Sequence, residues 1–229
     1  MNRPRGRKNI PTVLFSFGRH LVYAEGTKTE PLYVEDLRTY VSNELDVSED
    51  DIEIIPVRTK QTKHTVDLVN FAIKDVKKRR ENNQSVDYVW IFYDKDSFDD
   101  FDEAYRLIKA QDKADKETEW NACWSNECFE VWVYHYFENL TTPIERSQYI
   151  EKINSFLKKN GCDEKYTKNM KGLHHFLSKW GGDIRKAVKL MKSKDPDSDI
   201  KPNPSSGIYQ FARFILAYID EKNKTRTGT

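Results

Sequence analysis

The chain has 229 residues, which is enough for one α/β domain with an appended lobe. Charged residues make up 33% of it, the formal net charge is +1 and the mean hydropathy is −0.81, which excludes an integral membrane protein and a uniformly basic nucleic-acid coat. The three cysteines are too few for a disulfide framework, and the first ten residues lack the apolar core of a secretion signal. We therefore expect a cytoplasmic protein without a membrane partner.

Apolar runs predict strands, and apolar residues at helical spacing predict the helices between them. In chain order they give a strand at 20–25, a helix from 29 to about 45, a strand at 52–57, a helix at 64–80, a strand at 87–93, a helix at 101–111, a strand at 119–124 and a helix at 127–138. This alternation is typical of an α/β fold with a mostly parallel, four-stranded sheet flanked by helices.

The remaining residues, 145–222, show no convincing strand. Their apolar spacing predicts helices at 145–159, 172–180, 182–193 and 206–221, with a turn-rich loop between the last two. We therefore expect a basic N-terminal tail over 1–18, an α/β core over 19–140 and a basic helical lobe over 141–229 that packs on the core.

Positive and negative residues are strongly separated along the chain. Residues 35–53 and 94–103 are acidic, whereas residues 152–194 contain twelve Lys or Arg and three acidic residues. An acidic cluster beside a basic segment suits a metal-dependent enzyme that acts on a polyanion. The alternative is that the lysines simply cover the solvent-facing sides of helices.

Three carboxylates follow the ends of predicted strands. Glu25 ends the first strand, and Asp94 and Asp96 follow the third. Because ligands bind beyond the carboxyl ends of parallel strands, we expect these side chains to meet at one edge of the sheet. Oxygen ligands of this kind favour Mg²⁺ or Mn²⁺. A D-x-D pair alone also occurs in solvated turns, and Glu25 is what favours the metal site.

Four ordered segments resemble motifs of the RloB-like family. Residues 24–33, A-E-G-T-K-T-E-P-L-Y, resemble its E-G-x-x-T-E-P-x-Y signature, and residues 91–96, I-F-Y-D-K-D, resemble its strand ending in D-x-D. Residues 125–132, S-N-E-C-F-E-V-W, resemble its S-N-x-x-F-E-x-W motif, and N-P-S-S at 203–206 resembles its closing segment. One departure is Glu127-Cys128, where Pro-Cys is more usual.

The resemblance implies a Toprim-like catalytic core, because that fold also combines a strand followed by Glu-Gly with a later D-x-D. It further implies a metal-dependent nuclease of bacterial antiphage or restriction-associated loci, often encoded beside an ATPase. Glu25 would be the Toprim glutamate, and Asp94 and Asp96 would be the metal-binding aspartates. Nucleic acid is the expected partner, either DNA or RNA, with tRNA and other structured RNA among the candidates.

Further site residues follow from the same motifs and from the basic segment. The resemblance makes Glu130 an additional metal ligand or a carboxylate behind the ligands; the alternative is an ion pair that ties the lobe to the sheet. It also places Ser125 and Asn126 where they could bind phosphate or orient a ligand. The candidate contacts to nucleic-acid phosphates are Lys28, Lys186 and Lys189, for which exposed surface lysines are the alternative.

Two other functions remain open at this point. One is a non-catalytic Toprim-like subunit that binds nucleic acid or regulates a partner, and the other is a phosphoacceptor receiver domain. The receiver domain is the least favoured of these functions. It needs an acidic pair at the end of the first strand, whereas this strand ends in one glutamate and a glycine. We expect Glu30 to stabilise the start of its helix, His174 and His175 to lie on a helix surface, and the cysteines to be buried core residues.

Overall fold

The computed structural model describes residues 17–57, 65–95, 99–194 and 201–227. The strands are β1 (His20–Ala24), β2 (Ile54–Val57), β3 (Tyr88–Asp94), β4 (Glu119–Asn126) and β5 (Ser205–Ser206). The helices are α1 (Thr29–Leu45), α2 (Thr65–Glu81), α3 (Phe101–Ala114), α4 (Glu130–His135), α5 (Arg146–Lys159), α6 (Leu173–Lys179), α7 (Ile184–Lys192) and α8 (Ile208–Thr227). The predicted elements are all present, with ends shifted by up to six residues. Most of the predicted basic tail, residues 1–16, lies outside the described residues.

One sheet organises the fold, with strand order β2-β1-β3-β4-β5. The first four strands are parallel, and β5 runs antiparallel to β4. The prediction of four strands was therefore wrong by one. Two residues are too few for an alternating apolar pattern, and Ser205 and Ser206 become a strand because they pair with Asn126 and Ser125.

Helices cover both faces of the sheet, as expected for an α/β fold. Alternate strand residues, such as Val22, Trp90 and Phe92, share a core with α1, α4 and α8 and with the C-terminal helices α5, α6 and α7. The intervening residues, such as Tyr23 and Ile91, pack against α2 and α3. All three cysteines are buried, which confirms their expected role as core residues. Within the described ranges, no helix has the length and apolar composition needed to cross a bilayer.

A buried chain of hydrogen bonds connects α1, α4 and α6. Trp132 Nε1 donates to Tyr33 Oη at 2.7 Å, Tyr33 Oη lies 2.7 Å from Tyr136 Oη, and Tyr136 Oη lies 3.2 Å from His174 Nδ1. The expected surface position of His174 is therefore wrong, since this residue is 4% exposed and its ring takes part in the chain. The chain fixes α1 and α4 relative to each other, and both helices begin beside the carboxyl ends of the strands.

Tyr33→Phe is expected to destabilise the protein by about 1–3 kcal/mol, because it leaves the buried Trp132 N–H without its acceptor and removes one of the two partners of Tyr136. For a chain of this length that corresponds to a fall in Tm of several degrees, roughly 2–4 °C per kcal/mol. Thermal denaturation measures it. The control is Tyr88→Phe, whose hydroxyl makes no hydrogen bond within the described part of the chain. Equal Tm values for the two variants would contradict a stabilising role for this chain of hydrogen bonds.

Three histidines are buried and make specific hydrogen bonds. His20 Nε2 lies 2.7 Å from Phe17 O, and Trp90 Nε1 donates to His20 Nδ1 at 2.9 Å. Because Trp90 can only donate, the ring of His20 is neutral with its proton on Nε2. Burial lowers the pKa of each of His20, His135 and His174 to about 4.

Stability is expected to fall as the pH drops from about 6.5 towards 4. Below 6.5, the usual pKa of these side chains, the unfolded chain binds protons that the folded protein excludes. At pH 5 the free energy of unfolding should be lower than at pH 7.5 by about 2 kcal/mol for each histidine. Guanidinium-induced unfolding at both pH values measures the difference. His20→Gln should reduce it, and a difference that the variant leaves unchanged would show that His20 titrates normally.

Candidate functional site at the carboxyl edge of the sheet

The strand order reverses between β1 and β3, and this arrangement brings Glu25 and Asp94 together. The chain passes from β1 to β2 on one side and then returns to β3 on the other, so neighbouring connections diverge above the ends of β1 and β3. Glu25 follows β1 and Asp94 ends β3. The Asp94 backbone N–H donates to Glu25 Oε2 at 3.3 Å. The two predicted residues therefore meet at the crevice where α/β folds bind ligands.

The Asp94 carboxylate also accepts a hydrogen bond from Phe129 and lies near the positive charge of Arg146. Its Oδ2 accepts the backbone N–H of Phe129 at 3.1 Å, directly before α4, and lies 3.7 Å from a guanidinium nitrogen of Arg146. A carboxylate at the start of a helix is stabilised by the helix dipole. The Asp94 side chain is 13% exposed, so it keeps limited contact with solvent.

Glu130 enters the same region from the first turn of α4 and is almost completely buried. Its Oε1 accepts from Tyr166 Oη at 3.3 Å and lies 3.5 Å from Lys168 Nζ. These contacts come from the segment between α5 and α6, so Glu130 does form an ion pair with the C-terminal half of the chain. Glu130 follows Phe129, whose backbone N–H donates to Asp94, and the Cys128 side chain forms a further hydrogen bond with the Glu130 carboxylate.

Glu30 also lies in this acidic region, although the sequence predicts for it only a role in stabilising the start of its helix. It lies in the first turn of α1, as expected, but its carboxylate folds back over Gly26: a Cβ atom at Gly26 would lie 2.1 Å from Glu30 Oε2. Burial raises the pKa of Glu30, and the negative charge of Glu130 raises it further. Glu30 therefore belongs to the acidic group, and the signal for it was the second glutamate of E-G-x-x-T-E. We call Glu25, Glu30, Asp94 and Glu130 the acidic cluster.

Ser125 and Asn126 lie beside the acidic cluster, but their side chains face the C-terminal segment. Ser125 pairs with Asp94 in the sheet, and its Oγ lies 3.3 Å from Ser206 Oγ. Asn126 Nδ2 donates to Lys201 O at 2.9 Å, and both residues are 1% exposed. These contacts hold β5 and the residues before it against the edge of the sheet.

The predicted phosphate-binding lysines are spread over the surface. Lys28 is exposed and directly precedes α1, three residues after Glu25. Lys186 and Lys189 are exposed on α7. Lys186 Nζ donates to Phe137 O, beyond the C-terminal end of α4, whereas Glu130 begins that helix. Of the three, Lys28 is placed near the acidic cluster. Arg146 and Lys168, both within the described ranges, contact Asp94 and Glu130 of the cluster.

The cluster supplies the oxygen donors that Mg²⁺ and Mn²⁺ prefer, which fits the predicted metal. Asp96, the third predicted ligand, lies outside the described residues. Within the described ranges, no three acidic, histidine or cysteine side chains are arranged closely enough to hold an ion. Hydrogen bonds and the cations Arg146 and Lys168 instead contact Asp94 and Glu130.

The fold and this edge together define an α/β protein with a carboxylate cluster at the reversal point of a mostly parallel sheet. The family model described as RloB-like protein matches residues 20–215, and the chain belongs to this family. No curated protein and no solved structure matches the chain.

If the predicted ligands hold the metal, Glu130→Gln is expected to weaken Mn²⁺ binding by about tenfold or more, because it removes a negative charge from the acidic cluster. Tm should change little, since the amide can still accept from Tyr166 and the repulsion of Glu30 is relieved. Calorimetric titration with Mn²⁺ and thermal denaturation measure the two effects. The control is Glu151→Gln, an exposed glutamate on α5. A large fall in Tm with unchanged Mn²⁺ affinity would make Glu130 a scaffold residue.

Proposed function

We propose that this protein is an Mg²⁺- or Mn²⁺-dependent nuclease with a Toprim-like core, which hydrolyses phosphodiester bonds of nucleic acid. The meeting of Glu25 and Asp94 at the reversal point of the sheet carries the proposal, because two strands distant in sequence converge there on one crevice. The family membership supports it. By the same family resemblance we propose a role in bacterial antiphage defence or abortive infection, under the control of a partner ATPase, with tRNA and other structured RNA as candidate substrates.

In this proposal Glu25, Asp94 and Asp96 hold the metal. A bound divalent ion supplies Lewis-acid activation of the phosphate and of the attacking water, and neutralises the leaving oxygen. Glu25 and Asp94 are oriented by the Asp94 and Phe129 backbone N–H groups, so their carboxylates stay in place before the ion binds. Burial of Glu25, which is 8% exposed, limits competing water around the ligand oxygens.

A non-catalytic subunit with the same fold is the second candidate. The observation in its favour is that Arg146 and Lys168 already contact Asp94 and Glu130, as counter-ions would in a protein without a metal. A subunit of this kind would bind nucleic acid or regulate a partner without turnover. Direct measurements of metal binding and cleavage separate the two candidates.

Asp94→Asn is expected to lower divalent-dependent cleavage by about 100-fold or more while the fold is retained, because an amide is a poor ligand for a hard cation. The purified protein is incubated with Mn²⁺ or Mg²⁺ and, separately, with total tRNA, ribosomal RNA, plasmid DNA and single-stranded DNA. Cleavage products and circular dichroism are recorded for both proteins.

Asp163→Asn serves as the matched control, since Asp163 is exposed in the turn after α5. It should cleave like the unaltered protein. Cleavage by Asp94→Asn at the unaltered rate would rule out Asp94 as a metal ligand. Tight binding of nucleic acid by the unaltered protein, with no Mn²⁺ binding and no cleavage, would favour the non-catalytic subunit.

A further inference from the structure

Two basic side chains reach the acidic cluster from the C-terminal half of the chain. Arg146 begins α5 and lies 3.7 Å from Asp94 Oδ2, and Lys168 Nζ lies 3.5 Å from Glu130 Oε1. They approach different members of the cluster, one at the end of β3 and the other at the start of α4. The pair therefore contacts two of the four members of the acidic cluster.

Each of these ion pairs joins a buried or largely buried acid to a cation that is half exposed. The side chains of Asp94 and Glu130 are 13% and 2% exposed, whereas those of Arg146 and Lys168 are 44% and 46% exposed. Ion pairs with one group in water are weak, since solvent screens the attraction and long side chains lose freedom on pairing. The acids are thus fixed in place, and the cations can exchange partners.

The two cations also act on the remaining charge of the cluster. The pKa of Glu30 is raised by burial and then by the charge of Glu130, and the charges of Lys168 and Arg146 oppose this rise. Together with the contacts to Asp94 and Glu130, this makes them counter-ions to three of the four acids. A divalent ion among the same carboxylates would take over this role and would repel both cations.

We propose that Arg146 and Lys168 form a phosphate-binding pair that neutralises the acidic cluster until a divalent ion binds and then engages the backbone of the nucleic acid. The proposal rests on the proposed nuclease function and names the residues that would contact the substrate there. Arg and Lys at a crevice mouth have the donors that phosphate oxygens accept. Metal and polyanion would then bind cooperatively, because the metal releases the pair and the pair attracts the phosphates.

The predicted lysines of α7 lack this arrangement. Lys186 Nζ is bonded to the Phe137 carbonyl, away from the start of α4. In the proposal Arg146 and Lys168 contact the phosphates beside the acidic cluster, and the lysines of α7 contribute at most at longer range.

The first arm of the test measures metal binding without nucleic acid. The double variant Arg146→Gln with Lys168→Gln is titrated with Mn²⁺ by calorimetry and compared with the unaltered protein. Removing the competing cations should tighten Mn²⁺ binding by about two- to fivefold. The control is Lys152→Gln, which removes one positive charge from an exposed position on α5 and should leave the affinity unchanged.

The second arm measures binding of a tRNA and of a single-stranded DNA in Ca²⁺, with Asp94 unaltered, at several salt concentrations. The double variant should bind more weakly, and the slope of log K against log salt should become shallower by roughly 1.4–1.8, the loss of two phosphate contacts. Arg146→Lys with Lys168→Arg keeps both charges and should retain most of the slope. Lys152→Gln should change the slope little.

The results separate this proposal from the nuclease proposal. Tighter Mn²⁺ binding together with a shallower slope supports the phosphate-binding pair. Unchanged or weaker Mn²⁺ binding, or a slope like that of Lys152→Gln, overturns it and makes the two contacts scaffold ion pairs, even if the protein cleaves nucleic acid. Absence of Mn²⁺ binding in both the unaltered protein and the double variant overturns both proposals.

Discussion

Repulsion among carboxylates at one end of the sheet is the constraint around which this protein is built. Glu25 and Asp94 come from adjacent strands, and Glu30 and Glu130 come from the first turns of two helices. Removing such groups from water is costly unless each one is hydrogen-bonded or paired. Backbone N–H groups, the start of α4, and two basic side chains from beyond the core supply those partners. The C-terminal half of the chain therefore stabilises the edge as well as covering the sheet.

The acidic side chains are held by rigid elements, not by long loops. The parallel pairing of β1 and β3 sets the distance between Glu25 and Asp94. The buried chain from Trp132 through Tyr33 to Tyr136 does the same for the two helices that carry Glu30 and Glu130. Such a site is preorganised, because the cost of bringing like charges together is met when the protein folds and not when a cation arrives.

Much of this architecture could be predicted from the sequence, because it depends on local patterns. Apolar runs and helical spacing located the first four strands and the helices, and the position of Glu25 and Asp94 at strand ends implied that they meet. Strand β5, the burial of His174 and the contacts of Arg146 depend on partners distant in sequence, which no local pattern encodes. Glu30 was assigned to its helix because a carboxylate in a first turn already has an adequate explanation there.

The position of β5 and α8 has a consequence for the order in which the protein assembles during translation. The acidic side chains are all made within the first 130 residues, whereas Ser205, Ser206 and the apolar side of α8 emerge much later. Until then the outer edge of β4 lacks its neighbour, and one apolar face of the sheet lacks the part of its cover that α8 supplies. The acidic side chains are therefore synthesised early and the strand and helix that complete the sheet come late, so a ribosome-bound intermediate would lack the finished edge.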